Sequence, residues 1–365
     1  MLFPTNYQEI ICKINAIDPL KYGHTRNYLN GAVTKLSPYI SRGIISTKQV
    51  AQIVLSKGYQ PYQIETFLKE LAWRDYFQQV WINRGNDIDV DIKQPQPNYS
   101  NHQMPQNIFN ASTGIKAIDK AISELKDTGY MHNHMRMYVA SIACNIGKSH
   151  WYMPAKWMYY YLLDADWASN ALSWQWVAGS FSHKKYFANQ ENINKYSAGD
   201  QRGTFLDFPY EHFENIDTPS VLKSLCHFDL KTTLPEQKEL LLDPYIPTYL
   251  YNFYNLDCGW DANITANRIL LLEPGFYTKY PVCNETIYFM LDLAKNIPNI
   301  QIYVGEFSDL LHKTAPSQIH YKEHPTSNHY SGIQHKRSWM FEEVQGYFPS
   351  FFAYWKKCAQ YLKSI

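Results

Sequence analysis

Residues 128–176 read TGYMHNHMRMYVASIACNIGKSHWYMPAKWMYYYLLDADWASNALSWQW, and the reading of this stretch decides the fold. It gathers Asn133, Arg136, Asp164, Asp166 and Asn170 among tryptophans, which predicts buried polar groups arranged around something flat and apolar. On a helix starting near Tyr130, Asn133, Arg136 and Met137 fall at i, i+3 and i+4, so an amide, a guanidinium and a thioether share one face. Asp166 and Asn170 repeat the i, i+4 spacing on the next helix. A buried guanidinium must be paired, and Asp164 or Asp166 is the nearest partner along the chain. The plainer alternative is a helix-packing ion pair with a satisfied amide beside it. The density of such residues argues for a binding site.

Upstream, the pattern is helical from Asn6 to Ile17 and again from Thr66 to Asn83. In the second helix Glu70, Trp73, Arg74 and Phe77 lie on one stripe, where an ordinary amphipathic helix would carry leucines. The alternative is that Leu68, Leu71 and Ala72 form the buried face and this stripe is solvated. Between the two helices, KLSPYISRG at 35–43 reads as a loop entering a short helix. Ser37 before Pro38 is a capping arrangement, and free amides there with the Thr34 and Ser37 hydroxyls suit a phosphate. Residues 86–110 are rich in Asn, Gln, Asp and Pro without a period and predict a long surface loop.

The runs GYMHNHMRM (129–137) and DADWASNALSWQW (164–176) resemble the flavin-binding helical domain of the photolyase and cryptochrome family, as do KLSPYISRG and ELAWRDYF (70–77), in the family's order. The resemblance covers about residues 1–200. It implies FAD as cofactor, its diphosphate embraced by Thr34, Lys35, Leu36, Ser37 and Tyr39 with Tyr22 nearby, and Phe67 and Asn133 lining the site. It further implies Arg136 with Asp164 at the ring edge, Asp166 at a ring nitrogen or the ribityl side, and Asn170 facing N5. Trp174 and Trp151 match the inner and middle members of the family's tryptophan relay. Glu70, Trp73, Asn133, Met137 and Trp176 match positions around a flipped cyclobutane pyrimidine dimer, and Arg26, Arg74 and His134 fall where DNA is met.

Three features depart from the family pattern. The antenna domain that normally precedes the flavin domain is absent, so no antenna chromophore is expected at the usual site. His134 stands where an arginine normally meets DNA, and Ala188 is near the place of another. No tryptophan matches the outermost relay position: residues 93–111 offer only Tyr99 and Phe109 as aromatics, so the relay exits through Tyr99 or elsewhere, as through Trp157.

With 365 residues the chain can bury a large core, and the expected organisation is 1–206 as the helical FAD-binding domain and 207–365 as a smaller α/β domain. The fold class is therefore mainly α. The net charge of +1 sets up no global field for a polyanion, so DNA binding needs a local patch. Aromatic content is high, with 30 Tyr and 10 Trp. Six cysteines without a CxxC spacing encode neither zinc knuckle nor cluster, and no signal or membrane-spanning run is visible, so a cytoplasmic protein without membrane partner is expected. In the C-terminal half PEQKELLLD is helix-prone, and RILLLEP, NETIYFMLDLAKNI and NIQIYVGEF predict a βαβ unit with parallel strands and no GxGxxG fingerprint. A helix around Phe351–Leu362 is expected to pack back on that unit. His320-Tyr321-Lys322-Glu323-His324 fits a zinc-peptidase pattern, but polar flanks and Pro325 speak for loop histidines rather than a metal site. The leading functional reading is light-driven, FAD-dependent repair of cyclobutane pyrimidine dimers in damaged DNA. The competing one is a cryptochrome-like blue-light sensor whose C-terminal domain binds a protein partner; a non-photochemical flavoprotein is a third.

Overall fold

The structure, a computed structural model, describes residues 2–314 and 318–363. Compactness divides the chain into two units, one from 1–19, 34–83 and 231–365 and the other from 20–33 and 84–230. This partition differs from a cut at 206/207, because residues 34–83 gather with the C-terminal third rather than with their neighbours in sequence.

The reason lies in the helix Glu65–Arg84, which buries Asp75, Gln78 and Gln79 as well as its apolar residues. Buried polar groups need partners, and the C-terminal segment supplies them. Met340 N donates to Asp75 Oδ2 at 2.9 Å, Arg337 Nη1 to Gln78 Oε1 at 2.9 Å and Gly346 N to Gln79 Oε1 at 3.0 Å. The C-terminal helix Phe351–Cys358 continues this strap, with Trp355 Nε1 donating to Glu65 Oε1 at 3.2 Å and Phe351 stacked on Trp73. It is tied to the long helix, where the sequence suggested packing on the βαβ unit.

The same unit holds a five-stranded parallel sheet in the order Ile300–Val304, Asn267–Leu272, Thr248–Tyr251, Ile319–Lys322, Ile333–His335. All six residues of Asn267–Leu272 are buried, as expected of a parallel strand covered on both faces. The expected βαβ unit is present, with helix Asn284–Ala294 as its crossover and its two strands paired in parallel. The segment 235–243 is not helical. It lies along the strand Ile300–Val304 through side-chain bonds: Val304 N donates to the Gln237 side-chain Oε1 at 2.6 Å, and the Gln301 side chain pairs with both backbone groups of Leu241. His320 lies in a strand, bonded to His335 at 2.8 Å, so its motif lacks the helix that a zinc peptidase needs.

The second unit is helical, built from Lys116–Thr128, Asn133–Ser141 with a π-turn at Ile142–Ile146, Tyr152–Tyr161, Trp167–Ala178 and Gln190–Ser197. Gly129 ends the first of these at φ +68°, and a Cβ there would meet the Leu163 side chain at 2.5 Å, so only glycine fits. Residues 86–110 are largely irregular and exposed or half-buried, as composition suggests, but pinned by buried side chains. Ile88, Ile92, Gln96, Met104 and Ile108 are buried, Ile92 N donates to Gln175 Oε1 at 3.0 Å, and Gln175 Nε2 donates to Ile88 O at 3.2 Å. Asn and Gln here satisfy buried backbone instead of water. No described helix is long and apolar enough to cross a membrane.

Asp75 gives a pH-dependent readout of the strap. Burial raises its pKa to about 6 against the pull of Met340 N–H, Thr47 and two arginines, whereas an unfolded aspartate titrates near ~3.9. The folded state therefore holds the proton more tightly, so stability is greatest below the unfolded value and falls as pH rises through the folded one. Urea unfolding of the wild type and Asp75→Ala from pH 3.5 to 7.5 should show the wild-type advantage shrinking by about 3 kcal/mol across that interval. Parallel curves would show that Asp75 is not buried as described.

Candidate functional site

In the helical unit the expected ion pair forms, and it is Asp164 that takes it. Arg136 Nη2 lies 2.9 Å from Asp164 Oδ2, Nη1 is 3.3 Å from Oδ1, and Nε donates to Met131 O at 2.9 Å. The arginine sits one turn into the helix Asn133–Ser141, on the face that spacing predicts. Its side chain is 21% exposed and that of Asp164 only 5%, so a sealed acid underlies a cation with one open edge.

Asp166 is the N-cap of Trp167–Ala178, accepting from Ser169 N at 3.3 Å and Ser169 Oγ at 2.9 Å. One turn on, the buried Asn170 donates through Nδ2 to Ala155 O at 2.8 Å. That bond fixes the amide's orientation, and its carbonyl oxygen has no hydrogen-bond partner among the described residues. A pre-set acceptor, a guanidinium and two carboxylates within two neighbouring segments form a set that can meet an alternating edge of N–H and C=O groups. These residues fit the edge of a flavin ring.

Other predicted residues divide. Trp151 and Trp174 are buried while Trp176 is 40% exposed. Asn133 is exposed and Met137 half-buried. His134 is held neutral: burial and the nearby Arg26 lower its pKa, and its ring stacks on Tyr138 at 4.7 Å. It supplies no standing cation in place of the family's arginine. Burial, His134 and Arg136 likewise depress the neighbouring His132 to about 4. Arg26, bonded to Gly23 O at 3.3 Å, and Tyr22 are half-buried at the end of the helix Pro19–Thr25.

In the unit that carries the sheet, Leu36 rather than Ser37 is the N-cap of the short helix Ser37–Ser41, and it caps with no side chain. Thr34 Oγ1 accepts from Leu36 N at 3.4 Å, and Lys35 adopts a left-handed φ of +53°. Tyr39 is wholly buried with its hydroxyl on Pro4 O at 2.8 Å, and burial raises its pKa, so its side chain belongs to the core. Phe67 is buried too. On the long helix Leu68, Leu71 and Ala72 form the buried face, as the alternative had it, while Glu70, Trp73, Arg74 and Phe77 are half-buried rather than fully solvated. Arg74 Nη2 donates to Ser41 Oγ at 2.5 Å. One face of Trp73 is already occupied: Phe351 lies 3.8 Å away at an interplanar angle of 10°.

Sequence reasoning missed two acids. Trp151 Nε1 donates to Asp91 Oδ1 and Trp167 Nε1 to Asp89 Oδ1, both at 2.7 Å. Burial pushes Asp91 up, but bonds from His150, Gln96 N–H and the Trp151 indole outweigh it and leave the carboxyl below its usual range. The signal was available in DIDVDIK at 87–93, where Ile88 and Ile92 mark a packed segment, not a solvated one.

Residues 67–224 match the FAD binding domain of DNA photolyase. The deoxyribodipyrimidine photo-lyase of Alkalihalophilus pseudofirmus is 30% identical over 177 residues, covering 47% of this chain and 37% of that protein. The chloroplastic/mitochondrial cryptochrome DASH of Solanum lycopersicum is 32% identical over 201 residues, covering 51% of this chain and 34% of that protein. The cryptochrome structure from Synechocystis sp. PCC6803 aligns at 25% identity and TM-score 0.49, over 54% of this chain and 44% of that one. The matches thus span about a third of the length of these curated relatives. Residues 67–224 are similar to the FAD binding domain of DNA photolyase, a similarity that extends to both photolyases and cryptochromes.

Proposed function

We propose that the protein uses FAD for light-driven repair of cyclobutane pyrimidine dimers in DNA. The observation that carries this most is Asn170, one turn beyond the Asp166 cap, whose amide nitrogen is committed to Ala155 O while its oxygen stays available. When bound, a reduced flavin supplies an electron to the dimer on absorbing blue light. The protein's own work is positioning and electrostatics.

In this reading Arg136 holds a ring oxygen while Asp164, paired beneath it, keeps the guanidinium in place. Asp166 and Asn170 offer acceptors to ring N–H groups, and Thr34, Lys35, Leu36, Ser37 and Tyr39 contribute mainly backbone to the diphosphate, with Tyr22 and Phe67 beside it. Glu70 accepts from or donates to the damaged bases, and Trp73 offers them its remaining face. Asn133, Met137 and Trp176 add an amide, a thioether and an exposed indole for further base contacts. A dimer is poorly stacked already, so extruding it costs less than extruding normal bases. Arg26 and Arg74 take phosphate; with His134 neutral, the cation set is small, so the phosphate share of the affinity is modest and should fall only shallowly with salt. Trp174 and Trp151 are sealed one-electron donors, closed to water and side reactions. The second reading, a light sensor with a protein partner on the C-terminal domain, is favoured by the same small cation set.

Repair is tested with dimer-containing oligonucleotides, single- and double-stranded, under blue light with the flavin reduced. Repair in light and none in darkness is expected; full flavin loading without repair leaves the sensor reading. Glu70→Ala should lower repair roughly tenfold, the factor that accompanies loss of one charge-assisted hydrogen bond, with flavin content unchanged. A colourless Glu70→Ala protein would make the residue structural.

Trp174→Phe should slow photoreduction of the oxidised protein yet leave repair by chemically pre-reduced protein within about twofold of wild type. Equal loss of both activities would contradict a donor role for this indole.

A further inference from the structure

The buried Trp151 stands at a fork between two tyrosines. Its ring centroid is 5.5 Å from that of Tyr152 and 5.8 Å from that of His150, and beyond His150, at 5.0 Å, lies Tyr99. Trp151 is wholly buried and Tyr99 is 40% exposed, so the second branch leads from core to solvent. His102 closes the group, 4.9 Å from His150 and 5.1 Å from Tyr99.

The two branches differ in chemistry. A phenol gives up an electron readily only when its proton can leave in the same event. Tyr152 is poorly placed for that: the Lys156 ammonium lies 5.3 Å from its ring centroid, which disfavours further positive charge on the ring, and burial together with Asp89 raises its pKa. Tyr99 has solvent access, and the His102 and His150 rings lie edge-on to it at 5.1 and 5.0 Å. The Asp91 carboxylate, 2.7 Å from the Trp151 indole nitrogen and 3.4 Å from His150 Nε2, steadies positive charge on Trp151 until it is filled.

We infer that Tyr99 is the terminal electron donor of the chain, refilling oxidised Trp151 across His150 and standing in for the missing outer tryptophan. The inference rests on the proposed role of Trp151 as a donor toward a light-excited oxidised flavin, which is the oxidant. The step balances as one electron from the Tyr99 phenol to the Trp151 radical cation. The phenolic proton passes to a His102 or His150 nitrogen, or to water, leaving neutral Trp151, a neutral tyrosyl radical and one protonated base.

The test is flash photolysis with absorption and electron paramagnetic resonance detection on FAD-loaded wild type, Tyr99→Phe, Tyr152→Phe and Trp151→Phe, with flavin content measured for each. In the wild type a tryptophan radical should give way to a tyrosyl radical, more slowly in deuterium oxide. Tyr99→Phe, a change at an exposed ring, should lose the tyrosyl signal and lengthen the life of the tryptophan radical, whereas Tyr152→Phe should match the wild type. A tyrosyl radical that persists in Tyr99→Phe, or vanishes in Tyr152→Phe, overturns the assignment while leaving Trp151 as donor. A wild-type signal unchanged in Trp151→Phe overturns the donor role of Trp151 and the assignment with it.

Discussion

The pairing of Arg136 with Asp164 is the constraint around which the helical unit is arranged. A carboxylate sealed this deeply needs its cation, and removing either partner from a buried pair costs about 3–5 kcal/mol, toward the lower end here because the guanidinium keeps an open edge. The pair joins a helix to the turn that follows Tyr152–Tyr161, and that turn leads into the Asp166 cap. Once Asp166 starts the next helix, the phase of Asn170 and Trp174 is set by the helical repeat alone. One ion pair and one cap therefore place the acceptor amide and the buried indole.

A second device recurs in the same unit: an indole N–H held by a carboxylate. Asp89 takes Trp167 and Asp91 takes Trp151 at the same distance. Each bond satisfies a buried donor, and at Trp151 it would also put a carboxylate beside the ring proposed as an electron donor. The polar segment 86–110 is the carrier of these acids, which explains why Gln96 spends its side chain on Trp151 N and Ser149 O instead of on water.

How much of this was legible depended on where the partners lie in the sequence. Arg136, Asp166 and Asn170 could be read because helical spacing brings them to one face, and the βαβ unit because a buried parallel strand is a continuous apolar run. The strap of residues 337–358 on the helix Glu65–Arg84 was not legible: a Met340 amide meeting Asp75 is a contact between residues 265 positions apart, and no local period encodes it. For the same reason composition showed the loop at 86–110 but not its buried anchors such as Gln96, since buried and exposed amide side chains look alike in a list. Thr34 and Ser37 misled in the other direction, because a Ser-Pro pair suggests a side-chain cap and the structure caps with the Leu36 backbone. The stacking of Phe351 on Trp73 equally lies outside what spacing reveals, and it limits a substrate to one face of that indole.

Arg136, Asp164, Asp166 and Asn170 are the proposed seat of the flavin ring. Titration of FAD into the purified, folded protein, followed by quenching of flavin fluorescence, tests it most directly. Saturable binding near one FAD per chain is predicted, weakened in Asp164→Ala while the helical circular dichroism persists. A folded wild-type protein that neither carries flavin nor binds it saturably would contradict the account.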